Sequence, residues 1–266
     1  MKSARPIHDN LFEVIQNRRS KRIFLEKSVP DDVLEAILNA GFRAPFAAQL
    51  CSLIYTRDHK KIKDLQPMGV YPTTQVLIFP LIDLNRHEQV MNQRGHAYNF
   101  DDTLALWLGL QDVSLVVANL TLAAEGYGLG SVLLGAAPIV ADELVKMFNI
   151  PKRAFPVVGL CLGYPDPAEH TEIRPRYPLS FSAFEDKYHQ PSNEELLEAM
   201  NVMDEGYLAQ DYYIERQIKI PLPKGKDPID YDTYSWCEHI SRKFISGGWS
   251  KGSLLDALRK HGFNFD

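Results

Sequence analysis

The sequence predicts a body in which helices and strands alternate, of α/β or α+β class. Three observations predict it. Val33, Leu34, Ile37 and Leu38 in "SVPDDVLEAILNAGFRAP" fall at helical spacing. "QVLIFPLIDL" and "FPVVGLCLGYP" are apolar runs of strand length. Between them, residues 102 to 127 read as one long apolar helix.

Taken in order, Leu11, Phe12 and Ile15 show helical spacing and lead into "RRSKR". Pro30 and Asp31 start the next helix, and Gly41 and Pro45 end it. "SLIYTRD" is a strand, and "QVLIFPLIDL" is apolar enough to be central in a sheet. The 102–127 helix is apolar nearly all round, which predicts that both of its faces are covered, in a core or at a subunit interface. "GSVLLGAA" is a strand or tight loop, "IVADELVKMFNI" an amphipathic helix ended by Pro151, and "FPVVGLCLGYP" one buried strand. After Pro178 the texture changes. Ser192 and Glu195 stand in capping-box register ahead of Leu196, Leu197, Met200, Met203 and Tyr207. "IPLPKGKDPIDYDTYSW" is a loop, and helical patterns around "WCEHISRKF" and "SLLDALRKH" follow.

The totals narrow the function. A net charge of -5 over 266 residues lacks the broad basic face of a nucleic-acid binder. The three cysteines, Cys51, Cys161 and Cys237, have neither disulfide nor zinc spacing, which suits a reducing compartment. "MKSARPIHDNLFEV" lacks a secretory apolar run, and "VLIFPLI" is too short to span a bilayer. The expectation is a cytoplasmic protein with no membrane or nucleic-acid partner. No His pair has metal-ligand spacing, and no serine elbow or Walker loop is present, so no metal site is expected. "GYGLGS" is GxGxG after a helix, not GxGxxG after a strand, and reads as a helix end turning into a strand.

Two basic clusters remain. "VIQNRRSKRIF" places Arg18, Arg19, Lys21 and Arg22 around Ser20. This is either a solvated helix end or an anion grip. In "EIRPRYPL", Arg174 and Arg176 alternate around Pro175, which in an extended segment sends both to one side. Forked guanidiniums with a serine hydroxyl match a phosphate monoester.

"RRSKRIF…SVPDDVLEAILNAGFRAP", then "NLTLAAEGYGLGSVLLG", "VVGLCLGYPDP" and "RPRYPL", in that order, resemble the FMN-dependent nitroreductase family over roughly residues 8 to 190. The resemblance implies an α+β nitroreductase-like fold, with a central, mostly antiparallel sheet flanked by helices. It divides the chain into an FMN-binding domain at 1–190 and a C-terminal extension at 191–266, packed on that domain or on a dimer partner. It implies that Arg18, Arg19, Ser20 and Arg22 hold the FMN phosphate and ribityl chain, with Arg174 and Arg176 closing on the phosphate. Pro45, Phe46, Ala47 and Gln49 lie along the isoalloxazine ring, and Leu133, Leu134 and Gly135 pass its other face. The family usually has Ser, Asn, Gln and Pro where this chain has Phe46, Gln49, Cys51 and Ser52. Cys51 reads as a small buried side chain rather than a redox group.

The implied reaction is ping-pong hydride transfer from NADH or NADPH through FMN to a small organic acceptor such as a nitroaromatic or quinone. It requires no protein acid or base, so no catalytic residue is assigned. A homodimer is implied. Two other outcomes share these residues: a flavin carrier, sensor or partner subunit with little turnover, and a dehalogenase or ene reductase on the same scaffold.

Overall fold

In the computed structural model, residues 10–222, 225, 227–245 and 253–265 are described. The stretch before residue 10, on which the absence of a secretory run was read, lies outside them, as do three positions of the 220–236 loop. Contacts divide the chain into two units, Met1–Thr171 with Gly252–Asp266, and Glu172–Lys251. The division falls ahead of residue 190, and the C-terminal tail belongs to the first unit.

The first unit begins with α1 (Leu11–Asn17) and α2 (Asp31–Gly41), which buries Leu34 and Ile37 as their spacing predicts. Strand β1 (Cys51–Thr56) and a short α3 (His59–Asp64) lead to β2 (Val76–Asp83), buried at every position. Next come α4 (Leu84–Gln93), capped by Asp83, then α5 (Asp102–Gly126), β3 (Gly130–Leu134) and α6 (Ala141–Phe148). Helix α6 ends on Asn149 in the left-handed region (φ 52°), two residues before the proline expected to stop it. Two strands close the sheet, β4 (Ala154–Pro156) and β5 (Gly159–Gly163). The order is β1-β2-β5-β3, with β4 also on β2, and every pairing is antiparallel. The mixed α+β class with an antiparallel sheet is as expected, and β2 is central.

"FPVVGLCLGYP" is two strands, not one. Leu81 faces Pro156 while Ile78 faces Leu160, so the β4–β5 side carries one extra residue opposite Phe79 and Pro80. Pro80 has no N–H to donate, and a bulge forms there. Helix α5 is covered on one face within the single chain. Its Val113, Val116, Val117 and Leu120 are buried, but Leu104, Trp107, Leu110 and Leu115 are exposed in the single chain. Leu11, Phe12 and Ile15 of α1 are exposed as well. Helix α5 is the one helix among the described residues long and apolar enough to cross a membrane. Its middle packs on the sheet so closely that a Cβ at Gly109 would lie 2.7 Å from Ile82.

The second unit holds α7 (Asn193–Leu208), α8 (Tyr212–Arg216) and α9 (Trp236–Ile245). Helix α7 starts with the reciprocal capping box: Glu195 N–H donates to Ser192 Oγ (3.3 Å), and Ser192 N–H donates to Glu195 Oε2 (2.7 Å). Met203, Tyr207, Tyr213, Tyr234 and Cys237 form this unit's core. Leu196 and Leu197, at the start of the same apolar stripe, are exposed. The chain then returns to the first unit in α10 (Ser253–Lys260), which buries Leu258 while Phe263 packs edge-on to Phe155.

Candidate functional site

Beyond Asn17 the backbone leaves α1 and runs alongside β3. Ser20 bridges Ser131 in parallel, and Lys21 N–H donates to the Ser131 carbonyl (2.9 Å). Glycine makes this approach possible. A Cβ at Gly130 would lie 2.7 Å from Lys21 Cβ, and one at Gly163 would lie 2.7 Å from Phe24 Cγ. Glu169 clamps the end of the segment, accepting from the amides of Arg22 (3.0 Å) and Ile23 (3.1 Å). We expect Gly130→Ala to push the basic segment off the sheet at a cost of about 1–3 kcal/mol. A thermal melt reads this directly, and an unchanged midpoint would show that the segment tolerates the displacement.

In an extended segment alternate side chains share a side. Arg18, Ser20 and Arg22 accordingly line one cavity of about 510 Å3, with Val113, Val117 and Thr121 of α5, Val132 and Leu133 of β3, and the bulged Val157 and Val158. Arg22 Nε donates to the Tyr71 hydroxyl (3.1 Å), which restrains the guanidinium. Arg19 is absent from this lining, and its Nε is buried without a partner. Ser131 Oγ is buried and unpartnered too.

The loop at 45–50 is shaped from below by Asp112, a residue that composition did not single out. Its fully buried carboxylate accepts from the amides of Ala47 (2.6 Å), Ala48 (3.2 Å) and Leu50 (2.8 Å). Arg86 donates to the carbonyls of Gln49 and Cys51, and His87 Nε2 lies 2.6 Å from the Ala48 carbonyl. So held, Gln49 takes a left-handed conformation (φ 53°) and Phe46 stays 57% exposed. Phe46, Gln49, Cys51 and Arg86 line a smaller cavity of about 160 Å3. Asp112 and Val116 face it, whereas Val113 and Val117 face the larger one. The two cavities therefore lie along adjacent rows of α5. Burial pushes the Cys51 thiol up to about 12, so it is neither a thiolate nor a nucleophile near neutral pH. Leu133 and Gly135 are exposed, and Leu134 is half-buried.

Arg174 and Arg176 belong to the second unit. Arg174 Nη1 donates to Gln210 Oε1 (2.5 Å), and its guanidinium lies 4.1 Å from the Tyr212 ring centre. Arg176 Nη1 turns back onto the carbonyls of Arg174 (3.0 Å) and Pro175 (2.9 Å). Pro175 packs on α7 where a Cβ at Gly206 would lie 2.6 Å away. Among the described residues, no group of three or more His, Cys, Asp or Glu side chains could hold a metal.

The nitroreductase family model matches residues 15–164, more than half of the chain. The chain belongs to the nitroreductase family. The match spans the basic segment, the 45–50 loop, α5 and β3. Among curated relatives, the oxygen-insensitive NADPH nitroreductase of Salmonella typhimurium is 29% identical over 94% of this chain and 97% of its own. The NADPH-flavin oxidoreductase of Vibrio harveyi is 27% identical over 96% and 98%. The solved structure of NfrA1 from B. megaterium superposes with a TM-score of 0.81 at 24% identity, covering 97% of this chain and all of that one. The NADPH:FMN oxidoreductase of Vibrio harveyi, complexed with NAD+, gives 0.76 at 23% identity over 96% and 98%. These two structures share the nitroreductase fold with this chain.

The cavity suits a phosphorylated flavin. Its volume lies within the range of ligand pockets. Its lining carries two guanidiniums and a hydroxyl for a phosphate, together with the valines and leucine that a flat apolar ring needs. The orphaned Arg19 Nε and Ser131 Oγ add buried donors beside the same segment.

Proposed function

We propose that this nitroreductase-family oxidoreductase binds FMN in the Arg18–Ser20–Arg22 cavity and reduces a small organic acceptor at the expense of NAD(P)H. The observation that carries this reading is the convergence of Arg18, Ser20 and Arg22 on one apolar-walled cavity, inside the segment that matches the family model. When bound, FMN supplies the chemistry, accepting hydride from the nicotinamide and passing it to the acceptor.

The chain's own residues bind and orient. Arg18, Ser20 and Arg22 grip the phosphate and ribityl chain, with Arg19 neutralising charge from behind. Pro45, Phe46, Ala47 and Gln49 lie along the ring, in a loop whose amides Asp112 fixes. Leu133, Leu134 and Gly135 pass its other face, and a Cβ at Gly135 would meet nothing within 4 Å, which leaves that backbone approachable. No side chain is assigned a proton-transfer role. The exposed apolar faces of α1 and α5 pair with a second copy in a cytoplasmic homodimer.

An anaerobic visible spectrum tests this, recorded before and after NADPH and then NADH. A yellow protein that bleaches with either is expected. A protein that holds FMN and stays oxidised with both would remove the oxidoreductase assignment but leave the flavin site. A colourless protein that FMN cannot load would remove both.

A further inference from the structure

The basic segment has a neighbour that the reading above leaves unused. Glu125 sits in the last turn of α5, and its Oε1 is buried with no hydrogen-bond partner. The charged groups acting on it are Arg18, Lys21 and Arg19, all from the basic segment. Among the described residues, none of those three cations has a carboxylate within salt-bridge distance. This acid and an anion bound in the cavity would thus share Arg18.

We propose that Glu125 is a proton-linked positioning residue of the cofactor site: when a phosphomonoester dianion docks at Arg18, Ser20 and Arg22, one proton from solvent is taken up on the Glu125 carboxylate. The inference rests on the proposed FMN site and deepens it. Two anions near one cluster repel, so each disfavours the other. The coupling is reciprocal: if phosphate raises the proton affinity of Glu125, loss of that proton weakens phosphate binding. Burial already pushes the Glu125 carboxyl up to about 7, against the pull of the three cations. The carboxylate at a helix C-terminus also faces the negative end of the helix dipole, which acts in the same direction. The proton therefore comes off near neutral pH without ligand and at higher pH with ligand. The phosphate's own second ionisation, near pH 6, is complete over the window that matters and works in the opposite direction below it.

The test uses the FMN-loaded full-length protein, diluted to equilibrium from about pH 7 to about pH 9, with released flavin read by its fluorescence. The expected result is an FMN Kd that rises roughly five- to tenfold across that window. Glu125→Gln, which keeps the shape and cannot ionise, is expected to bind as tightly at the upper end as at the lower. Riboflavin, which lacks the phosphate, serves as a second probe on the unmodified protein and is expected to give a flat profile even if the variant does not fold. A flat FMN profile, a slope that survives in Glu125→Gln, or a slope shared by riboflavin would each overturn the proposal while leaving the FMN site intact. Failure to hold FMN at every pH would overturn the site itself.

Discussion

Asp112→Ala is expected to lower the unfolding free energy by roughly 3–5 kcal/mol, because three amide donors lose one fully buried acceptor at once. The substitution removes few apolar contacts, so the loss comes from the stranded N–H groups of Ala47, Ala48 and Leu50. Asp112→Asn retains one oxygen but turns an NH2 toward donors, and an intermediate loss follows. Urea unfolding reads the totals, and amide exchange assigns them. Protection should fall at residues 47, 48 and 50 before it falls in β2. If those amides exchange no faster in Asp112→Ala, the carboxylate is not what holds the loop. Since the proposed ring-facing residues sit on this loop, flavin affinity should fall with protection.

Arg153→Ala is expected to cost a similar amount, about 3–5 kcal/mol, because it leaves a buried carboxylate without its cation. Asp102 is 5% exposed and receives Arg153 through both guanidinium nitrogens, together with the Tyr98 hydroxyl (2.8 Å) and the Asn264 amide (2.6 Å). Arg153 also reaches Glu88 (2.5 Å) and the Gly262 carbonyl (3.1 Å). Burial pushes the Asp102 carboxyl up, but these bonds outweigh it and hold the group below the usual carboxylate range. A carboxyl depressed in the folded state contributes stability above its unfolded pKa, lost as pH falls through the folded one. Acid should therefore destabilise the parent protein progressively below about pH 4. In Arg153→Ala that part of the acid dependence should shrink, because the cation that depressed the group is gone. Equal acid slopes in the two proteins would contradict this account.

Periodic elements were legible from their residues alone. Helix α2, strand β2 and the span of α5 follow from apolar spacing, and the α7 cap from Ser192 and Glu195. Helix α4 was not, because its body is polar and its start depends on Asp83 after a strand. The β4–β5 bulge was invisible because it is imposed by Pro80 of a partner strand rather than by the bulged residues. At the site, the charge run marked the segment and the family resemblance grouped Arg18, Arg19, Ser20 and Arg22, of which Arg18, Ser20 and Arg22 line the cavity. Alternation sets Arg19 apart, a distinction available from parity had the segment been read as extended. Asp112 and Glu125 carried one weak signal each, an acid set among apolar residues of the same helix, and only their partners in space give them meaning.

The return of residues 253–265 to the first unit has a consequence for biosynthesis. Phe263, the Gly262 carbonyl and the Asn264 amide complete contacts whose other halves lie at 155, 153 and 102. Those halves leave the ribosome roughly 110 to 160 residues earlier, on the order of 5–30 seconds at ordinary translation rates. In that interval the buried Asp102 carboxylate lacks one of its donors, and the Phe155 ring lacks its edge-on neighbour. The first unit must wait half-closed while the second is made, a period in which a chaperone has a defined apolar surface to hold.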